Sequence, residues 1–194
     1  MMTLSSSDHV ILEHYENRWS KATQVYTISD PRVPAQANPL YVAEFTLPID
    51  RLTIYASIGM SRAPMGAANP HSDHRVEIFL GTFQPHPVLP KRIAMLAAYP
   101  HKGNTSVDSE HTISLGEPIV LNSHLTSVIF TPPYFDPPSF HSINRGSYHI
   151  RILWIIPLYE SERKFKIRDG WKSLEKIFEE KHVAIGDLMR VRAI

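Results

Sequence analysis

The chain of 194 residues contains no cysteine. Disulfides, thiol nucleophiles and cysteine-based zinc sites are therefore excluded, and the absence fits a reducing compartment. Glycine is scarce, at 8 residues. None of them builds a G-x-x-x-x-G-K-[ST] loop, a G-x-G-x-x-G fingerprint or a G-x-S-x-G elbow, so the common phosphate, dinucleotide and serine-nucleophile motifs are missing. An excess of one charge sign is also missing: 20 basic residues against 19 acidic leave a formal net charge of +1. That balance provides no broad field to attract nucleic acid or an anionic membrane. The aromatic residues do not interleave with a basic run, as an RNA-stacking surface would require. The longest apolar run, from Ile152 to Leu158, is far short of the roughly 20 residues that span a bilayer. The first residues show no basic start followed by an apolar stretch, so no secretory signal is expected. A soluble cytoplasmic protein, with no membrane or nucleic-acid partner, is the expectation.

What the chain does have is proline, 16 residues of it, in the clusters "DPRVPAQANP", "QPHPVLP" and "TPPYFDPP". Proline fixes φ and removes a donor, so these clusters predict stiff connections rather than loose linkers. The hydrophobic fraction of 43% and the absence of repeats or charge blocks predict one globular domain over residues 1–194.

Periodicity places the elements. Ser7 is the expected cap of a first helix that carries Ile11, Leu12, Tyr15 and Trp19 on one face. "QVYTI", "YVAEFTL" and "LTIYASIGM" are strand-like. "RVEIFLGTF" sets Val76, Ile78 and Leu80 against Glu77 and Phe79, the alternation of a half-buried strand. "LPKRIAMLAAYPHKG" predicts a second helix, with Pro90 near its start and Pro100 at its end. "HTISLGEPIV" and "LTSVIFTPP" read as extended. "HIRILWIIPL" is the most apolar stretch, which predicts a strand covered on both faces. Beyond it, Ile167, Trp171, Leu174 and Phe178 form one buried helical stripe. Gly170 interrupts that stripe and suggests close packing there.

Two places invite a chemical reading. Glu160 and Glu162 follow the apolar run, where Ser161 is a plausible N-cap and the helix dipole favours an anion. Glu162 can also pair with Lys166 one turn later. This predicts helix-start residues rather than catalytic groups. "HSDH" brings together His71, Asp73 and His74, which would suit a metal-dependent hydrolase. It lies in an irregular stretch without HExxH or a comparable spacing, so no metal or other cofactor is expected.

Four motifs, taken in order, resemble the suppressor of fused family over roughly residues 50–180. "LTIYASIGMSRAPM" is similar to the family's strand into a Gly-Met-Ser turn and a later Pro-Met. "HRVEIFLGTF" resembles the strand that follows. "HTISLGEPI" matches the family's "ghT-x-x-x-G-x-P" through His111, Thr112, Gly116 and Pro118. "ILWIIPLYESERKFKIRDGWKSLEKIFEE" resembles the family's apolar strand, Pro-Leu-Tyr, Glu-bearing helix start and Gly-containing helix.

The resemblance implies an α+β fold: a largely antiparallel or mixed β-sheet with about three helices packed on it. It also implies a protein that binds protein and is not an enzyme. Animal members carry a further C-terminal domain and restrain zinc-finger transcription factors. A chain of this length is more similar to the single-domain bacterial members, which are associated with polymorphic toxin systems as immunity proteins. The expected partner is therefore a toxin domain, with a regulatory peptide-binding adaptor as the alternative. In the family the strand entering the Gly-Met-Ser turn helps form a peptide cleft. That assigns Tyr55, Ser57, Met60, Ser61 and Asp73 to the expected partner surface, with a core position as the equal alternative for Met60. Tyr134 and Phe135, in the stiff "TPPYFDPPSF" loop, join them as anchors, unless that loop's aromatics pack on the core instead.

Overall fold

The computed structural model describes residues 4–48, 51–66 and 73–194. Among the described residues, four α-helices and eight strands follow one another as α1 (Ser6–Trp19), β1 (Gln24–Ile28), β2 (Leu40–Leu47), β3 (Leu52–Ile58), β4 (Arg75–Thr82), α2 (Leu89–Gly103), β5 (Thr112–Ser114), β6 (Ser127–Thr131), β7 (Ser142–Asn144), β8 (His149–Leu158), α3 (Glu160–Asp169) and α4 (Trp171–Glu180). The strands form one sheet in the order β1-β2-β3-β4-β8-β6-β5, and β7 also pairs with β8. All pairings are antiparallel except β4 with β8, where Ile78 lies opposite Leu153. This is the α+β architecture the resemblance implied, with four helices rather than about three. No helix among the described residues is long and apolar enough to cross a membrane.

The sheet is covered on both sides, and alternation along each strand divides the core in two. Val42, Tyr55, Ile78, Leu80, Phe130 and Leu153 join Leu89, Ile93 and Ala97 of α2 in one cluster. Phe45, Ile54, Phe79, Ile152, Trp154 and Ile156 join Ile11, Tyr15 and Trp19 of α1, and Trp171, Leu174 and Phe178 of α4, in the other. The expectation of a half-buried β4 is corrected by this double cover. Glu77 and Phe79 are buried along with Val76, Ile78 and Leu80, with which they alternate.

Local chemistry sets the helix ends. Ser5, not Ser7, caps α1: its hydroxyl accepts from Asp8 N while the Asp8 carboxylate accepts from Ser5 N, a reciprocal capping box. The expected stripe from Ile167 to Phe178 is broken, because the chain turns at Gly170 with φ 87° and begins a new helix. Trp171, Leu174 and Phe178 are buried, but Ile167 is 61% exposed. No atom lies within 4 Å of a Cβ built at Gly170. The glycine therefore supplies a left-handed conformation, not close packing.

Candidate functional site

The residues that the family motif singles out turn inward. Gly59 takes φ 103° after β3, and the short turn through Met60 to Arg62 wraps around the Glu77 carboxylate. That carboxylate accepts from Ser57 Oγ at 2.5 Å, Gly59 N at 3.0 Å, Ser61 N at 2.9 Å and Ser61 Oγ at 2.7 Å. Glu77 is fully buried, and burial pushes its pKa up against the pull of these four donors. Arg62, next in line, donates to both oxygens of Asp8 and to the Pro39 carbonyl, which ties the turn to the start of α1.

Tyr55 is 2% exposed and packs in the cluster beneath α2, where burial and the nearby Glu44 push its pKa to about 12. Ser57, Met60 and Ser61 are also buried. The expectation that the side chains of Tyr55, Ser57 and Ser61 face a cleft is therefore corrected, since a side chain inside the core has no surface to offer, and Met60 takes the core position that was its alternative. Among the other candidates, Asp73 is exposed and accepts from Arg75 Nε at 2.7 Å. The His74 ring Nε2 lies 2.7 Å from the Val107 carbonyl. His71 lies outside the described residues. Among the described residues, no group of three His, Asp or Glu is placed to hold a metal ion.

The loop after β6 does the opposite. Phe135 is 79% exposed and Tyr134 48%. Phe140 of the same loop is buried, stacked on His14 with ring centroids 5.0 Å apart. Two rings of the loop thus face outward and one packs on the core. The loop is fixed at several points. Tyr134 N and Asp136 N donate to the carbonyls of Pro132 and Pro133, and Arg18 Nε donates to Asp136 at 2.6 Å. Trp171 Nε1 donates to the Tyr134 hydroxyl at 3.2 Å.

Phe135 stands edge-on to Trp154, with centroids 5.5 Å apart, between two open hollows on the α1–α4 side of the sheet. Phe135, Trp154 and Ile185 line both. The first, about 650 Å³, runs along Trp19, Leu52, Phe79 and Phe83. The second, about 510 Å³, is bounded by Tyr134 and by Trp171, Glu175, Phe178 and Glu179 of α4. Gly186 lets Phe83 lie against the backbone, since an added Cβ would sit 3.0 Å from its ring. The result is a mostly apolar groove with two aromatic rings standing proud at its centre.

The carboxylates that open α3 are both engaged. Glu160 accepts from Arg163 at 2.7 Å and from Ser127 Oγ at 2.8 Å, and the hydrogen bond from Arg163 is the main reason its pKa falls to about 2. Glu162 is 0% exposed and forms a two-pronged pair with Arg190 at 2.8 and 2.6 Å. It also accepts from Tyr159 N and Ala193 N, so Tyr159, not Ser161, occupies the cap position. Glu162 therefore does not pair with Lys166, which reaches the Glu110 carbonyl instead. Arg190 escaped the sequence reading because nothing local links it to a residue 28 positions earlier.

The sequence profile described as Suppressor of fused protein matches residues 36–191. The chain belongs to the suppressor of fused family. Among solved structures, a suppressor of fused homologue from Neisseria gonorrhoeae superposes with a TM-score of 0.80 at 19% identity, covering 97% of each chain. A structure described as the Sufu–Fu complex gives a TM-score of 0.71 at 12% identity, over 96% of this chain and 92% of that one. Drosophila Suppressor of Fused also gives 0.71, at 10% identity, with 94% of this chain covering 50% of that one. A search of curated proteins finds no match. At these identities the structures establish a shared suppressor of fused fold.

Proposed function

We propose that this chain is a single, non-catalytic protein-binding domain that acts in the cytoplasm as an immunity protein, covering the working surface of a toxin domain. One observation carries the reading. Tyr134 and Phe135 project from a proline-stiffened, hydrogen-bonded loop into an apolar groove. Rigid aromatic anchors lose little side-chain freedom on docking, and such residues dominate binding energy at protein interfaces. The family supports the same direction, because one relative of this fold is described in complex with a partner, Fu. Occlusion needs no reacting group, only a rigid surface. The runner-up, a peptide-binding adaptor, draws support from the position of β1 at the sheet edge, where an extended peptide would add as a further strand.

The test is calorimetric titration of the full chain with an inactivated toxin-like domain taken from a neighbouring gene, together with rescue of growth when both are expressed. Tight binding and rescue are expected. Phe135→Ala is expected to stay folded and lose about 2 kcal/mol of binding, since it removes an exposed anchor. No complex and no rescue would overturn the reading. Full affinity in a folded Phe135→Ala chain would move the binding surface away from this groove.

A further inference from the structure

The groove is not electrically uniform. Its second hollow has an apolar floor of Trp154, Ile156, Trp171 and Phe178, but one wall carries two carboxylates. Glu175 and Glu179 stand one turn apart on α4, so they share a face of the helix. Glu175 is half-buried. Burial pushes its pKa above the usual carboxylate range, and the charges of Glu179 and Glu110 push it further, against the pull of a hydrogen bond from the Trp171 side chain and a smaller one from Lys172. Burial raises the pKa of Tyr134 across the hollow, and the charges of Glu175 and Glu110 add to it against a hydrogen bond from Trp171.

Of the basic groups nearby, His182 lines the same hollow and Lys172 acts on Glu175 through its charge, and three others are engaged elsewhere. Lys176 pairs with Glu180 at 3.8 Å, Lys181 donates to the Ala193 carbonyl, and Arg190 is held by Glu162. Among the described residues neither Glu175 nor Glu179 carries a salt bridge. A neutral apolar partner closing over this hollow would strip water from both carboxylates without replacing it, which is unfavourable. An anionic partner would be repelled. A cation seated at the wall, next to an apolar side chain on the floor, satisfies both surfaces at once.

We propose that the hollow between the Tyr134–Phe135 loop and α4 docks a cationic amphipathic segment of a partner protein, with an apolar side chain over Trp154 and Phe178 and a Lys or Arg at Glu175 and Glu179. This rests on the protein-binding reading and gives the partner its chemistry. The surface to be covered presents basic residues beside apolar ones. The overall balance of charge, near zero, does not reveal it, because the acidic character is confined to one wall.

The test uses the full chain and a fluorescein-labelled helix-forming peptide built from Leu, Trp and Lys, with a counterpart in which every Lys is Glu. Fluorescence anisotropy is read at low and at moderate salt. The Lys peptide is expected to bind, more weakly as salt rises, and the Glu peptide not to bind. The double variant Glu175→Gln with Glu179→Gln, checked for an unchanged melting curve, is expected to weaken binding about tenfold and to flatten the salt dependence. Phe135→Ala is expected to weaken it as well. Equal binding of the two peptides, no binding of the Lys peptide, or unchanged binding by either variant would overturn the proposal. Titration with the toxin-like partner separates the two levels. If that partner binds the double variant as tightly as the parent chain, the charge assignment fails while protein binding stands. If it binds neither, the protein-binding reading itself fails.

Discussion

The turn after β3 and the loop after β6 are built from similar means and face opposite ways. Each leaves an interior strand and is pinned by several hydrogen bonds, and the sequence suggests a partner surface at both. The turn closes its polar groups on the buried Glu77 carboxylate and sinks Met60 into the core. The loop instead spends its bonds on holding its backbone still, which leaves Tyr134 and Phe135 standing in solvent. A motif fixed by an internal network tells of folding, whereas exposed rings held on a stiff frame tell of contact. The same contrast recurs within three residues at the start of α3. Glu162 is sealed against Arg190, while Glu160 remains near the surface with Arg163.

The sharpest way to break this comparison is at Glu162. Glu162→Gln leaves the Arg190 guanidinium, with 3% side-chain exposure, without its counter-charge. Removing one partner of a buried pair costs about 3–5 kcal/mol, because the other charge stays behind unpaired. Two further anchors of the C-terminal segment weaken with it, since Ala193 N also donates to this carboxylate and Arg190 also donates to the Pro157 carbonyl. Chemical denaturation should show the loss. A midpoint unchanged within error would mean that the inward-facing groups of this fold are dispensable.

Glu77→Gln is the next test, on the turn itself. The amide has one acceptor oxygen and brings two donors into a site already filled with donors from Ser57, Gly59 and Ser61. An unsatisfied buried donor costs about 1–3 kcal/mol, so a loss of that order is expected in thermal unfolding. Partner affinity in the folded fraction should hold, because the turn has no side chain at the groove. Lost affinity without lost stability would return the partner surface to the turn.

How much of this was legible depends on the range of the interaction that decides each feature. β1, α2 and β8 have the bounds the periodicity predicts. Their signals are local: a β-branched and aromatic run, a proline in the first turn, and an apolar stretch closed by Pro157. The facing of the turn was not legible, because it is set by Glu77, 16 residues beyond Ser61. A signal was available, though. A lone carboxylate in a strand covered on both faces requires partners, and the alternation of "RVEIFLGTF" disguised it as a solvent-facing residue. The short β7 was missed as well, since three residues carry no period. Of the residues the sequence suggests for a partner surface, Tyr134 and Phe135 are the ones exposed in the groove.

The smallest expected effect lies at Glu160, the outward-facing counterpart of Glu162. Its carboxylate keeps 36% side-chain exposure and is held by Arg163 and Ser127 at the first turn of α3. The hydrogen bond from Arg163 lowers its pKa from 4.5 to about 2 in the folded chain. A depressed carboxylate pKa contributes stability that is present above the unfolded value and disappears as pH falls through the folded one. At neutral pH, Glu160→Gln should therefore cost only about 0.3–1 kcal/mol, reduced from the Coulombic limit by solvent screening. The difference between parent and variant should shrink as the pH is lowered from about 4.5 towards 2. Melting curves taken across that window are the measurement. A loss at pH 7 as large as that of Glu162→Gln would show that these two neighbouring carboxylates share one role, and the inward–outward distinction drawn between them would fall.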